Sequence, residues 1–422
     1  MKRLALKISL VVFAGIFLFS CEKIPSGGNG TQSTDIEVSS DLVSAGNAFA
    51  MKLFATAYAQ SPDDENMVLS PLSLNMALAM VWNGANGETK TAIQTAMGME
   101  NFSTQEVNNY FQTLRTGLAT IDASNTQLAL ANSIWYHPKF TVKQEFINLN
   151  QLYYNALVQQ LDFQQPGATD ILNQWCSDNT NGLIKDMFSP PLSPTLVMML
   201  INALYFKSVW ADSFAFAPES TENASFYQSD NQEITVNMMQ QRNDFQYYAD
   251  NNLQLLTIPY GNGAFTMNFV LPNTSFSDLM TALQQPNYWA NCLNNRHIEK
   301  YFKINIPKFK VEYDSKESLK PILTNLGMGI AFTECSDFSG TDCPDFSGIS
   351  NTQTYISKVR QKAYIDVNEQ GTEAAAVTAI GIGTTSIQPE FTLNRPFLFV
   401  IREESTGAVL FMGRINKPVY EN

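Results

Sequence analysis

Two histidines, His137 and His297, are all that the 422 residues contain. Imidazole is the commonest general base near neutral pH and a frequent zinc ligand, so most hydrolytic triads and zinc sites lack their parts here. Neither histidine has an acid–base partner nearby in the chain, and both read as partly exposed structural residues. Gly-x-Ser-x-Gly and His-Glu-x-x-His are both missing, which leaves an enzyme without an anchor. Gly381-Ile382-Gly383 lacks the third glycine and the following helix start of a nucleotide loop, so no cofactor is expected. Charge is scarce at 15% of residues, against roughly 25% in an average domain. It is also lopsided: 26 basic against 39 acidic residues give −13, a field that repels a phosphate backbone and disfavours nucleic acid.

What is present is ordinary globular content, 45% hydrophobic, in a chain long enough for one large domain or two smaller ones. The N-terminus reads as an address. Lys2, Arg3 and Lys7 precede an apolar run over residues 8–19 that is too short to span a bilayer and suits a secretory signal. The run ends Ser20-Cys21, which resembles the bacterial lipobox. Lipidation of Cys21 and an ordinary signal peptide cut near it are the two readings. The first gives a lipoprotein signal over 1–20, a Ser/Gly/Asn/Thr-rich tether over 21–40 and one domain over 41–422, held by lipid to a bacterial cell envelope, periplasmic or surface-exposed. That anchor would be the chain's only contact with a membrane.

Four more cysteines follow, without zinc-like spacing. Cys176 and Cys292 read as buried thiols. Cys335 and Cys343 form the one close pair, and a bridge there would stabilise by roughly 2–3 kcal/mol on chain-entropy grounds. Residues 42–57 carry apolar positions at helical spacing, and Ser70-Pro71 marks a second helix running to Trp82 and stopping at Asn83-Gly84. Short apolar runs at 255–259, 266–272, 304–306 and 397–401 predict strands. Helices early and strands late fit one α+β domain.

Residues 374–389 form a stretch of 16 positions without a charge. Split by strand parity, one face is Thr372, Ala374, Ala376, Thr378, Ile380, Ile382 and Thr384, all small or β-branched. The other carries Gly381 and Gly383 and would make a poor permanent strand. The pattern alone leaves a core strand and a flexible surface loop both open.

From residue 41 to 418 the chain resembles a serpin. The resemblance rests on Asn66 to Ser73 with Ala77-Leu78 and Gly84 to Thr89, on Asn202 to Trp210, on Pro307-Lys308-Phe309 and on Leu326-Gly327-Met328. Glu369 to Ala376 and Asn394 to Phe397 complete it and bracket the family's reactive loop. The resemblance implies three β-sheets, about eight or nine helices and an exposed reactive-centre loop over about 369–390. It implies a monomer that irreversibly inhibits proteases as a suicide substrate: the loop is cleaved, the protease stays joined through an acyl bond, and the loop inserts into the central sheet.

On that resemblance Glu369, Gly371, Thr372, Ala374, Ala376 and Thr378 form the hinge, whose alternating positions from Thr372 to Thr378 carry no bulky or charged residue. Ile380 and Ile382 would each gain about 1.5–3 kcal/mol on burial. Counting forward from Thr372 and back from Pro396 both reach Thr385, giving a reactive bond at Thr385-Ser386, with Thr384 and Ile382 as alternatives. A small β-branched residue there suits an elastase-like serine protease, and a papain-like cysteine protease is a second possible target. Ser70, Ser73, Asn202 and Gln361 take shutter positions, where Gln361 replaces the family's usual histidine. Trp210, Lys308 and Glu369 take breach positions, with Lys308–Glu369 as a near-surface ion pair adding about 0–1 kcal/mol. The run Asp337 to Gly340 is echoed by Asp345 to Gly348, where the family has one copy; a disulfide-pinned loop and a neutral duplication both fit. A non-inhibitory serpin acting as an envelope binding or structural protein is the alternative function.

Overall fold

Ser70 accepts a hydrogen bond from the Ser73 backbone N–H and caps the helix Pro71–Trp82, with proline in the first turn where its missing N–H costs nothing. Every residue of that helix is buried, because its apolar side chains run all the way round and leave no polar face for water. It lies against Ser40–Ala59 and against strands of two sheets, so it sits at the centre of the main core. The computed structural model describes residues 35–61, 65–121, 126–315, 319–335, 342–372 and 390–420. Cys21, Ala374, Ala376, Thr378, Thr385 and Ser386 lie outside the described residues.

The fold is α+β, with nine α-helical segments among the described residues. The expected strands are Leu253–Tyr260, Phe265–Pro272, His297–Pro307 and Phe397–Glu403. All four belong to a nine-stranded sheet. Its long strand Glu233–Ala249 pairs first with Thr221–Tyr227, then with His297–Pro307 and last with Leu253–Tyr260. Two of the three sheets implied by the resemblance therefore share one continuous strand.

The second sheet runs Phe309–Asp314, Lys358–Val367, Met198–Val209, Thr126–Tyr136, Leu157–Gln160. Met198–Val209 is apolar on both faces for a reason visible in its neighbours. Met198 and Leu200 enter the main core, while Met199 and Ile201 enter a smaller cluster with Leu172 and Cys176 of the helix Ala168–Asp178. A strand covered on both sides reads as a continuous hydrophobic run rather than an alternating one.

Cys335 and Cys343 are bonded, while Cys176 and Cys292 are free and buried, and burial pushes both thiols up to about 12. The second copy of the duplicated run is seated against residues 84–89. The Asp345 N–H donates to Thr89 Oγ1 at 2.8 Å and the Gly348 N–H to the Gly84 carbonyl at 3.0 Å. A Cβ on Gly348 would come within 2.7 Å of that carbonyl oxygen, so only glycine allows the approach. Residues 337–340, the first copy, lie outside the described residues.

Candidate functional site

Lys358–Val367 and Met198–Val209 are parallel neighbours, and their ladder runs from Lys358–Met199 to Tyr364–Tyr205. Above that pair the two strands no longer bond to each other. Asn368 turns the chain back: its N–H donates to the Gly371 carbonyl at 2.9 Å, the Gly371 N–H returns a bond at 3.2 Å, and Asn368 Oδ1 accepts the Gln370 N–H. Gly371–Thr372 then pairs antiparallel with Val209 and Ser208. Ser208 already pairs with Thr126 on its other edge, so Thr372 enters on the side of the seam. Gly371 has φ +133°, and a Cβ there would lie 2.4 Å from the Ser208 carbonyl oxygen. Glycine is the residue that fits.

The top of the seam is the predicted breach. Trp210 is 1% exposed and stacks on Tyr260 at 4.5 Å. Its backbone N–H donates to the Gln370 carbonyl at 2.9 Å and its indole N–H to the Asn368 carbonyl at 3.0 Å, fixing both sides of the turn. Lys308 Nζ lies 3.0 Å from Glu369 Oε2, and Thr221 Oγ1 donates to Glu369 Oε1 at 2.9 Å. Both charged side chains are only 13% and 11% exposed, so the expected near-surface pair is in fact covered. One cover is Tyr420, whose ring lies 4.2 Å from the Lys308 ammonium and whose hydroxyl accepts from Asn368 Nδ2 at 3.3 Å. Burial raises the Glu369 carboxyl, but hydrogen bonds from its own backbone N–H, Lys308 and Thr221, with the Lys308 charge, outweigh it and hold the group below its usual value.

Lower on the seam, Ser70, Ser73, Asn202 and Gln361 meet in one buried network. Gln361 Oε1 accepts the Ser70 N–H at 2.8 Å, and its Nε2 donates to the Ser70 carbonyl at 3.0 Å and to Asn202 Oδ1 at 2.7 Å. That last bond joins the two parallel strands side chain to side chain, at their paired positions Gln361 and Asn202. Asn202 Nδ2 donates to Ser73 Oγ and, at 2.6 Å, to Asn132 Oδ1. Asn132, Asn368, Thr221 and Tyr420 escaped the sequence reading. Asn132 is one polar residue within a mostly apolar strand, and Tyr420 near the C-terminus carries no local pattern at all.

The histidines take no part. His137 Nδ1 accepts the Lys139 N–H at 3.1 Å, and His297 Nε2 lies 3.2 Å from Glu299 Oε2. The second contact corrects the expectation of no nearby partner: residues two apart on a strand share a face. Among the described residues no group of His, Cys, Asp and Glu is placed to hold a metal.

A family model described as "Serpin (serine protease inhibitor)" matches residues 44–418. Human neuroserpin is 33% identical over 373 residues, covering 84% of this chain and 87% of that protein. The rat leukocyte elastase inhibitor A is 32% identical over 394 residues, covering 89% and 99%. The native-state structure of tengpin, a thermophilic serpin, superposes with TM-score 0.80 at 28% identity, over 91% of this chain and 96% of that one.

Proposed function

The chain belongs to the serpin family, and from that premise we propose that it is an irreversible protease inhibitor whose loop over 373–389 inserts into the seam beside Met198–Val209. The observation that carries the reading is the state of the seam. Its upper end is open above Tyr205 and Tyr364, and Gly371–Thr372 is already zipped in antiparallel fashion onto its edge. Continuing that register would bring Ala374 opposite Phe206, Ala376 opposite Leu204 and Thr378 opposite Asn202. Small side chains can pass between strands without clashes, and from Ala374 to Pro389 there is no charge to bury. New ladder bonds and apolar burial would favour the inserted state, so the uncleaved form is held by kinetics.

In the chemical step the protease nucleophile attacks the Thr385 carbonyl. The Thr385–Ser386 amide bond breaks, the Ser386 amine leaves with a proton from the protease's base, and an acyl bond to Thr385 remains. Insertion then carries the protease away before water reaches that bond. The small residue at 385 suits an elastase-like serine protease, and a papain-like cysteine protease reading the neighbouring apolar residues is a second target class; the similarity to an elastase inhibitor accords with the first. We place the protein on a bacterial cell envelope, anchored through lipid on Cys21, as a monomer with no cofactor.

Mixing the protein with pancreatic elastase and with papain tests the reading. The expected result is an SDS-stable complex and a released C-terminal peptide beginning at Ser386. Clean loop cleavage by both enzymes without a trapped complex overturns it, in favour of a non-inhibitory binding protein. Fatty-acid labelling that is lost in Cys21→Ala checks the anchor.

A further inference from the structure

Tyr301 is 70% exposed, more than any other large apolar side chain among the described residues. Its backbone is unusual as well. The non-glycine residues with positive φ are Asn155, Asn181, Asn231, Asn287 and Tyr301, and Tyr301 alone lacks the short polar side chain that tolerates this region. The cause is a bulge. Asn243 pairs with Phe302 and Phe245 with Glu299, so Lys300 and Tyr301 together oppose Asp244. Asp244 Oδ1 accepts the Tyr301 N–H at 3.0 Å, and Arg242 Nη1 donates to the Tyr301 carbonyl at 3.2 Å, clamping the peptide from the neighbouring strand. Glycine is the usual residue for a left-handed bulge position, yet here a phenol ring is held out into water at φ 52°. Ile298, three residues earlier, is 42% exposed.

The position of this ring is informative. Its strand pairs in parallel with Glu390–Thr392, Glu390 opposite Lys303, so Tyr301 stands two residues before the point where the chain re-enters the sheet. The proposed reactive bond begins four residues before Glu390. Whatever path the chain takes, Ser386 therefore lies within about 14 Å of Glu390 at full extension. A protease of roughly 200 residues has a radius of gyration of about 17 Å. An enzyme gripping that bond lies over the surface that carries Tyr301.

We propose that Tyr301, with Ile298, is an exosite that docks on the body of the target protease outside its active-site cleft. The inference rests on the inhibitor reading above. An exposed aromatic ring held between Arg242 and Asp244, with an exposed isoleucine three residues earlier on the same strand, fits a shallow apolar depression with a rim of mixed charge. The loop offers a small residue that many proteases accept, and the exosite selects among them. The strain at Tyr301 is then the cost of aiming the ring at a partner.

Tyr301→Gly and Tyr301→Asn test this without endangering the fold, since both residues suit the left-handed backbone. With elastase or papain, whichever the wild type traps, the second-order rate of inhibition should fall about tenfold in both variants. The stoichiometry and the SDS-stable complex should stay unchanged. An unchanged rate overturns the exosite while leaving the inhibitor reading intact. A slower rate with a matching rise in stoichiometry also overturns it, because the loop itself would then be presented differently. No complex from the wild type overturns the inhibitor reading, and the exosite with it.

Discussion

Gln361 and Ser70 exchange two hydrogen bonds across the core: Gln361 Oε1 accepts the Ser70 N–H at 2.8 Å and Nε2 donates to the Ser70 carbonyl at 3.0 Å. The central helix and the seam strand are therefore tied at the residue that begins the helix. The same amide donates to Asn202 on the neighbouring strand, so one side chain reports to every element that must part for a strand to enter.

Gln361→Leu should destabilise the uncleaved protein. It removes the partner of the Ser70 N–H and the donor to Asn202 Oδ1 in a dry site, at about 1–3 kcal/mol for each stranded group. Urea unfolding should show a lower midpoint, and peptide insertion should become faster. Gln361→His tests the shutter another way. Its neighbours Ser70, Ser73, Asn132 and Asn202 carry no group that ionises between pH 5 and 8, whereas an imidazole does, so the stability difference between variant and wild type should change across that range. Parallel pH profiles for the two proteins would count against the shutter assignment.

Thr372→Arg should turn the inhibitor into a substrate. Position 372 pairs with Ser208, a fully buried residue at the mouth of the seam, and a long cationic side chain there adds a desolvation cost to closing the sheet over an inserted loop. Elastase should then cleave the loop without forming an SDS-stable complex. Complex formation at the wild-type level would mean that the loop does not insert beside Met198–Val209.

Glu369→Gln should weaken the breach at neutral pH, because Lys308 is left covered and without its counter-charge. Buried pairs broken this way typically cost about 3–5 kcal/mol, and the slight exposure here places the effect at or below the lower end. Because the folded carboxyl sits below its ordinary value, its contribution is full above about pH 4.3 and is lost as the pH falls through the lowered folded value. Thermal unfolding of wild type and variant should therefore differ at pH 7 and converge in acid. A gap that persists undiminished at pH 2 would exclude the ion pair as its cause.

Tyr420→Ala should speed insertion of a synthetic peptide with the sequence of residues 372–384. The ring lies over Lys308 at 4.2 Å and Lys310 at 5.4 Å, contacts worth about 0.5–2 kcal/mol depending on desolvation. The Lys310 N–H also donates to the Val419 carbonyl at 2.8 Å, so the tail is docked along the strand that supplies Lys308's neighbour. Tyr420→Phe should keep the cation contact and lose only the hydroxyl's hydrogen bonds to Asn368 and Asp366, giving an intermediate rate.

The sequence by itself determined whatever depends on short range. Ser70 and Pro71 set a helix start because capping acts within four residues. Apolar runs set strands because side-chain alternation is local, and the uncharged run over 374–389 stood out while leaving a core strand and a surface loop both open. The scarcity of histidine and charge left an enzyme without an anchor, and the motifs between Asn66 and Phe397 carried the family. Tertiary structure decided the rest. Lys308 and Glu369 are 61 positions apart, and their burial depends on Thr221 and Tyr420, which no local pattern links to them. Asn132 joins the shutter only because its strand pairs with Met198–Val209 in a register that sets it against Asn202. That Gly348 of the repeated Asp-Phe-Ser-Gly run packs on the Gly84 carbonyl is a contact across 264 positions that no local pattern shows. Nothing in the sequence singled out Tyr301. Only the bulge opposite Asp244 turned it out of the sheet, because an extra residue in one strand must go where the ladder cannot hold it.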